Sequence, residues 1–111
     1  MTVRQARNMP MPSGERSVTV LRHGSLLVKF YQPQHVDEQT PHTRDEVYVV
    51  TSGQGWFVNG KGRHRFETGD VLFVAAGTVH RFEDFSDDFS TWVLFYGPEG
   101  GEPAGADHSE L

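Results

Sequence analysis

Apolar side chains in the middle of this chain come in short runs of four to seven residues, rich in Val, Phe, Tyr and Trp. Gly, Asn, Asp or Pro separates one run from the next. Such runs are typical of strands, because a helix needs a longer apolar pattern that repeats about every 3.6 residues. The spacing predicts strands at residues 18–22, 25–32, 46–51, 55–58, 64–67, 71–74, 80–84 and 91–96.

The segments between these runs contain residues that favour turns. Asn59-Gly60 can supply the positive backbone angles of a tight hairpin, and residues 52–55 carry two glycines that can reverse the chain. Consecutive strands joined by such turns run antiparallel. Because no helical pattern exceeds a turn or two, the sequence predicts an all-β fold, either a double-sheet jelly roll or a small closed barrel.

Composition limits both the size of the fold and its partners. The 111 residues, of which 36% are hydrophobic, are enough for one core and too few for two. The formal charge of -5 would repel nucleic acid and anionic membrane surfaces, and no apolar run is long enough to span a bilayer. The absence of cysteine excludes disulfides and thiolate ligands and is compatible with a reducing cytoplasm, the predicted location.

The two ends of the chain lack the strand pattern. Residues 1–16 carry two prolines and scattered charges, and the last residues are rich in Gly, Pro and acids. We therefore expect an N-terminal arm at 1–16, one β-barrel domain at 17–97 and a flexible acidic tail at 98–111.

Three side chains of metal-ligand type occur in two distant parts of the chain. His42 and Glu46 are four residues apart, and His80 follows a turn that contains Gly77. A short turn at residues 43–45 would place His42 at the end of one strand and Glu46 at the start of its antiparallel neighbour, with His80 on a third strand. The sequence predicts that these side chains form one divided metal site.

Strand alternation predicts which neighbours line this site. Tyr48 and Val50 follow Glu46 on the inward face, and Phe82 follows His80. Further aromatic candidates for the wall are Phe30, Trp56 and Trp92.

The opposite faces also carry apolar side chains. If Glu46 and Trp92 point inward, then Val47, Val49, Val93 and Phe95 point outward and need another cover. A second sheet or a partner subunit would supply it, and we expect a homodimer.

The motifs around these residues resemble those of the cupin superfamily, in particular its small single-domain members with one conserved barrel, the cupin 2-like proteins. The first cupin motif is Gly-x5-His-x-His-x3-4-Glu-x6-Gly, and the second is Gly-x5-Pro-x-Gly-x2-His-x3-Asn. The similarity covers roughly residues 24–97 and implies a double-stranded β-helix with a divalent metal ion inside the barrel. The matching positions are His42, Glu46, Gly53, Gly69, Gly77 and His80.

The chain departs from these motifs at four positions. The opening glycine is Gln34, the proline is Ala75 and the final asparagine is Asp84, while Thr40 replaces the first histidine. Only the loss at Thr40 removes a metal ligand.

The resemblance implies that His42, Glu46 and His80 remain as ligands of Fe(II), Mn, Ni or Zn. A fourth ligand could be Gln39, one residue from the vacant position, or His35 if the loop folds back. Gln39 is also open to interpretation as a loop residue or as a hydrogen-bond partner of a ligand.

Three classes of function remain open at this point. The favoured class is a metal-dependent enzyme for a small organic molecule, either a dioxygenase or an isomerase, with Glu46 and Tyr48 as the catalytic candidates. The alternatives are a non-catalytic module that binds or senses a metabolite, and a barrel whose metal site is vestigial. The sequence has no nucleophile elbow and no phosphate-binding loop, which argues against covalent hydrolysis and nucleotide cofactors.

Overall fold

The computed structural model describes residues 1–37 and 39–103. In chain order the elements are α1 (Val3–Arg7), β1 (Ser17–His23), β2 (Leu26–Tyr31), β3 (Asp45–Ser52), β4 (Gln54–Asn59), β5 (Gly62–Glu67), β6 (Val71–Val74), β7 (His80–Glu83) and β8 (Ser90–Tyr96). The predicted strands are all present, and their ends differ from the prediction by only a few residues.

The strands form two antiparallel sheets. The larger sheet has the order β1-β2-β8-β3-β6, and the smaller has the order β5-β4-β7. β2 and β8 pair in the larger sheet although they are far apart in sequence, because the chain alternates between the two sheets. This is the double-stranded β-helix that the motifs imply.

The core lies between the inner faces of the two sheets and is largely aromatic. Phe82 of β7 is at its centre, with ring centroids 4.9 Å from Tyr48, 4.9 Å from Phe57 and 4.7 Å from Phe89. Edge-to-face and tilted contacts of this kind add to the stabilisation from burial. Tyr48, Val50 and Phe82 therefore face inward as predicted.

The register of β8 corrects the predicted orientation of its side chains. Trp92 is paired with Val49 and Phe30, whose side chains lie on the outer face of the larger sheet. Because side chains alternate along a strand, Val93 and Phe95 instead face the interior. The ambiguity came from a strand that is apolar on both faces, for which sequence alternation gives no preference.

The outward aromatic residues have other contacts. Trp92 packs edge-on against Phe30 at 5.1 Å between ring centroids. Trp56 lies under the guanidinium groups of Arg63 and Arg65, at 4.3 and 5.4 Å from its ring centroid. Phe30, Trp56 and Trp92 are thus not part of the wall around the predicted metal site.

The turn at residues 52–55 also differs from the prediction. β3 and β4 are joined by Gly53 alone, but they belong to different sheets and do not pair with each other. The glycine moves the chain from one sheet to the other. The predicted hairpin at Asn59-Gly60 is confirmed, with Gly60 at a φ of 60° between β4 and β5.

The described parts of both ends contact the barrel. Ala6 of the helix α1 is fully buried, and Arg7 donates hydrogen bonds to Ser52 and Ser90 at the end of the larger sheet. At the other end, the amide of Glu102 donates to Asp45 at 2.8 Å. The sequence pattern did not indicate these contacts, and residues 104–111 of the tail predicted at 98–111 lie outside the described residues.

The domain boundaries at residues 16 and 97 and the homodimer remain predictions. Within the described residues, no helix is long and apolar enough to cross a membrane.

The switch between the sheets at Gly53 makes a stability prediction. A Cβ at this position would lie 2.7 Å from the Cα of Phe89, and the φ of +89° disfavours any side chain. Gly53→Ala should therefore lower the free energy of unfolding by about 2–4 kcal/mol, measured by urea denaturation.

Gly69→Ala is the matched control. Its φ is +93°, yet no atom lies within 4 Å of an added Cβ, so it carries the conformational cost alone, about 1–2 kcal/mol. Equal losses in the two variants would show that the close approach of Phe89 is not what constrains Gly53.

Candidate metal centre

The structure brings the three predicted metal ligands together. Nε2 of His80 lies 2.9 Å from Oε1 of Glu46, and Nε2 of His42 lies 3.9 Å from the same oxygen. One ligand atom from each residue falls within 4.8 Å of the others. The two motifs therefore meet at one point in space.

The two sheets supply one ligand each. Glu46 is the second residue of β3 in the larger sheet, and alternation places it on the same inward face as Tyr48. His80 is the first residue of β7 in the smaller sheet. Both side chains are almost completely buried, so the cluster spans the gap between the sheets.

His42 is positioned by a loop and not by a strand, which corrects the predicted local geometry. β3 has no hairpin partner before it, because its neighbours are β6 and β8. The amide of Gly77 donates to the carbonyl of His42 at 2.7 Å, and the amide of Gly100 donates to the carbonyl of Thr43 at 2.6 Å. The imidazole of His42 also packs edge-on against Phe95, with 5.0 Å between ring centroids.

The amide oxygen of Gln39 points into the cluster. Its Oε1 lies 3.2 Å from Nε2 of His42 and 3.1 Å from Nε2 of His80, and it accepts a hydrogen bond from the Tyr48 hydroxyl at 3.1 Å. His35, the other candidate for a fourth ligand, is exposed and lines a separate cleft with Phe85.

Asp37 fixes the orientation of Gln39. The carboxylate accepts hydrogen bonds from the Gln39 amide nitrogen at 2.7 Å, from the backbone amide of Phe82 at 2.8 Å and from the Tyr31 hydroxyl. Since a carboxylate accepts and the amide nitrogen donates, the amide oxygen is left facing the cluster. Burial and the Asp37 charge together raise the pKa of Tyr31 above its ordinary value.

No pattern in the sequence singles out Asp37. The residue lies in the long loop before β3, where no strand alternation identifies inward positions. The only sequence feature that could have indicated its contact with Gln39 is their separation of two residues, and this spacing is common in loops.

The cluster contains acceptors that have no donor. Despite the 2.9 Å contact with His80, neither oxygen of Glu46 has a hydrogen-bond partner of good geometry among the described residues. Nδ1 of His80 lies 2.9 Å from the carbonyl of Thr78, which can only accept, so Nδ1 carries a proton. Nε2 of His80 faces Glu46 and Gln39, where the neutral ring presents a lone pair to a cation and the protonated ring donates to these oxygens.

Such an arrangement fits a bound cation. Two imidazole nitrogens, a carboxylate oxygen and an amide oxygen converge here, and a cation would compensate the buried charge of Glu46. The contact of His80 with the Thr78 carbonyl is typical of imidazoles that bind metals.

The pKa values of the two histidines differ because of their surroundings. Burial lowers the pKa of His42, and the neighbouring His80 and Lys29 lower it further against the opposing charge of Glu46. Burial alone would also lower the pKa of His80, but the adjacent Glu46 carboxylate outweighs it and raises that pKa.

A cleft of about 250 Å³ leads to the cluster from outside. Its wall combines apolar and aromatic surface with a few polar groups, as in sites for small molecules. The lining residues are Ser17, Lys29, Tyr31, Gln39, Thr40, His42, Tyr48, Val93 and Phe95.

Comparisons with known proteins agree with this architecture. The family model described as the cupin domain matches residues 27–96. An uncharacterized protein of Streptomyces coelicolor is 40% identical over 63 residues, which are 57% of this chain and 60% of that protein. The match thus spans less than two thirds of the relative's length.

Solved structures share the fold at low sequence identity. A Cupin 2 conserved barrel domain protein from Salinispora arenicola superimposes with a TM-score of 0.63 at 16% identity, over 82% of each chain. KdgF from a Halomonas species superimposes with a TM-score of 0.64 at 19% identity, over 72% of this chain and 76% of that one.

The three hydrogen bonds to Asp37 lead to a prediction about stability. Asp37→Ala leaves the Phe82 amide and the Gln39 side chain without their acceptor, which should lower the free energy of unfolding by about 2–4 kcal/mol in urea denaturation. Tyr31→Phe removes only one donor and should cost about 1 kcal/mol. Comparable losses in both variants would mean that Asp37 does not organise this loop.

Proposed function

Since this chain belongs to the cupin family, we propose that it is a metalloprotein that presents a divalent cation to a small organic molecule in the cleft. His42, Glu46 and His80 would hold the cation. The observation that carries the proposal is the buried Glu46 carboxylate, which faces two imidazole nitrogens and accepts no hydrogen bond of good geometry among the described residues.

The donor atoms favour a particular group of metals. Two imidazoles and one carboxylate suit Fe(II), Mn, Ni and Zn, whereas Ca²⁺ and Mg²⁺ prefer all-oxygen sites. Gln39 would add a fourth protein ligand through Oε1, which already lies within about 3 Å of both histidine nitrogens. In this role Gln39 replaces the histidine that is missing at Thr40.

The cation would act as a Lewis acid that polarises an oxygen of the bound molecule. Burial keeps the pKa of Tyr48 well above its ordinary value, so its hydroxyl stays protonated and holds Gln39 by donating to Oε1. Tyr48 therefore positions a ligand and does not act as a base. Glu46 is the group that would accept a proton from the bound molecule.

These parts serve either of two reactions, oxidation by dioxygen or isomerisation through a proton shift. The solved structures that share the fold are less than 20% identical, so their activities do not select between the two. The same site could also bind a metabolite without converting it.

Metal analysis tests the proposal directly. Protein purified without an affinity tag and incubated with Fe(II), Mn, Ni or Zn should retain about one equivalent of metal per chain after desalting, measured by plasma mass spectrometry. His42→Ala and His80→Ala should each lose stoichiometric metal because each removes one donor, and Glu46→Gln should weaken metal binding because the amide keeps an oxygen but removes the negative charge. His23→Ala is the matched control, since His23 is exposed at the end of β1.

Glu46→Gln also separates a functional site from a vestigial one. At alkaline pH, where His80 is neutral, the amide gives the cluster a donor in place of a buried charge, so the metal-free variant should be about 1–3 kcal/mol more stable than the wild type. Metal should stabilise the wild type and not the variant. A wild type that binds no metal, together with ligand variants that behave alike, would contradict the proposal.

The role of Gln39 has its own comparison. Gln39→Ala should weaken metal binding at least about tenfold, whereas Thr40→Ala, at the neighbouring exposed position, should leave it within about twofold. Equal affinities in the two variants would remove Gln39 from the ligand set.

Two assays distinguish the reaction classes. Oxygen uptake by the iron-loaded protein with phenols, diketones and thiols supports oxidation, and solvent deuterium appearing in a ketone or hydroxyketone supports a proton shift. A loaded protein that binds these compounds and does neither supports a binding module.

A further inference from the structure

One cation on the wall of the cleft has no counter-ion. Lys29 of β2 is half-buried and lines the cleft beside His42 and Phe95. Among the described residues it makes no ion pair and no side-chain hydrogen bond. The ammonium group of Lys29 is therefore available to an anionic ligand in the cleft.

The position of Lys29 is set by the sheet. It is paired with Val93 of β8, so its side chain lies on the same inward face as Val93. Lys29 and His42 line the same cleft. The ammonium group therefore lies on the ligand-binding side of the metal cluster and not on the outer surface of the barrel.

The surrounding wall offers few polar groups to this charge. Val93 and Phe95 are apolar, and the Tyr31 hydroxyl is already bonded to Asp37. The hydroxyls of Ser17 and Thr40 are the polar groups that remain open to a ligand. A charge on such a wall attracts an anion more strongly than the same charge in bulk water.

The charges of the site also favour a ligand with one negative charge. With a divalent cation in the cluster, the carboxylates of Glu46 and Asp37 balance its charge. Lys29 then leaves one positive charge in excess.

We propose that Lys29 binds the carboxylate of a small monocarboxylic acid, such as a 2-oxo or 2-hydroxy acid, while another oxygen of the acid reaches the metal. The apolar wall at Val93 and Phe95 would accommodate its short carbon chain. This deepens the proposed function and rests on the metal site described above.

The test uses cobalt-loaded protein, whose visible absorption changes when a ligand binds the metal. Pyruvate and methyl pyruvate are titrated in parallel, since they share the keto group and differ in charge. Lys29→Met should weaken pyruvate binding at least about tenfold and change methyl pyruvate binding less than about twofold. Lys29→Arg should retain most of the pyruvate affinity because it keeps the charge.

Lys61→Met is the matched control, because Lys61 is the only other lysine in the chain and is exposed in the hairpin after β4. It should bind both compounds as the wild type does. The cobalt content of every variant is measured first, so that loss of metal is not mistaken for loss of the carboxylate contact.

The outcomes separate the two proposals. A wild type without cobalt would overturn both of them. Full cobalt with equal effects of Lys29→Met on pyruvate and methyl pyruvate would overturn the carboxylate site and leave the metal site standing. Inorganic phosphate is the third probe. If it displaces pyruvate and has the higher affinity of the two, Lys29 is assigned to phosphate esters and this proposal is overturned.

Discussion

The buried carboxylate of Glu46 is the constraint around which this barrel is organised. A charge removed from water and left without a donor is strongly unfavourable, and a folded protein retains one only when another positive charge compensates it. Here the nearest groups are two imidazole nitrogens and an amide oxygen, which are all atoms of metal-ligand type. The cluster therefore has the composition of a cation site.

The rest of the structure holds these acceptors in place. The two sheets supply Glu46 and His80 from opposite sides, so their separation is set by the packing of the aromatic core around Phe82. Loops supply the remaining atoms, and each loop is tied down by its own contacts. The Gly77 amide holds the backbone at His42. Asp37 orients Gln39 and also accepts a hydrogen bond from the Phe82 amide in β7, the strand that begins with His80.

Asp37 determines which atom of Gln39 faces the cluster. Because Asp37 accepts a hydrogen bond from the amide nitrogen of Gln39, the amide oxygen faces the two imidazoles. An oxygen atom of metal-ligand type thus lies on the residue next to the position where the family motif has a histidine. The cleft that opens beside it adds Lys29, whose charge is not balanced by any described residue.

Much of the fold could be predicted because short strands leave a direct record in the sequence. The strand predicted at 46–51 is observed as Asp45–Ser52, and the strand predicted at 71–74 is observed as Val71–Val74. Prediction failed where a strand is apolar on both faces. Trp92 and Phe95 were assigned to the wrong sides of β8 because only the pairing with β2 and β3 fixes its register.

The sequence by itself determined the strands, the all-β class and the three residues of the divided site, because alternation and ligand spacing are local properties. Only the tertiary structure decided that His42 comes from a loop, that Gln39 points inward and that Asp37 directs it. These features depend on contacts between segments as far apart as Asp37 and Phe82. Loop conformation is set by such distant contacts, and no periodic pattern in the chain encodes them.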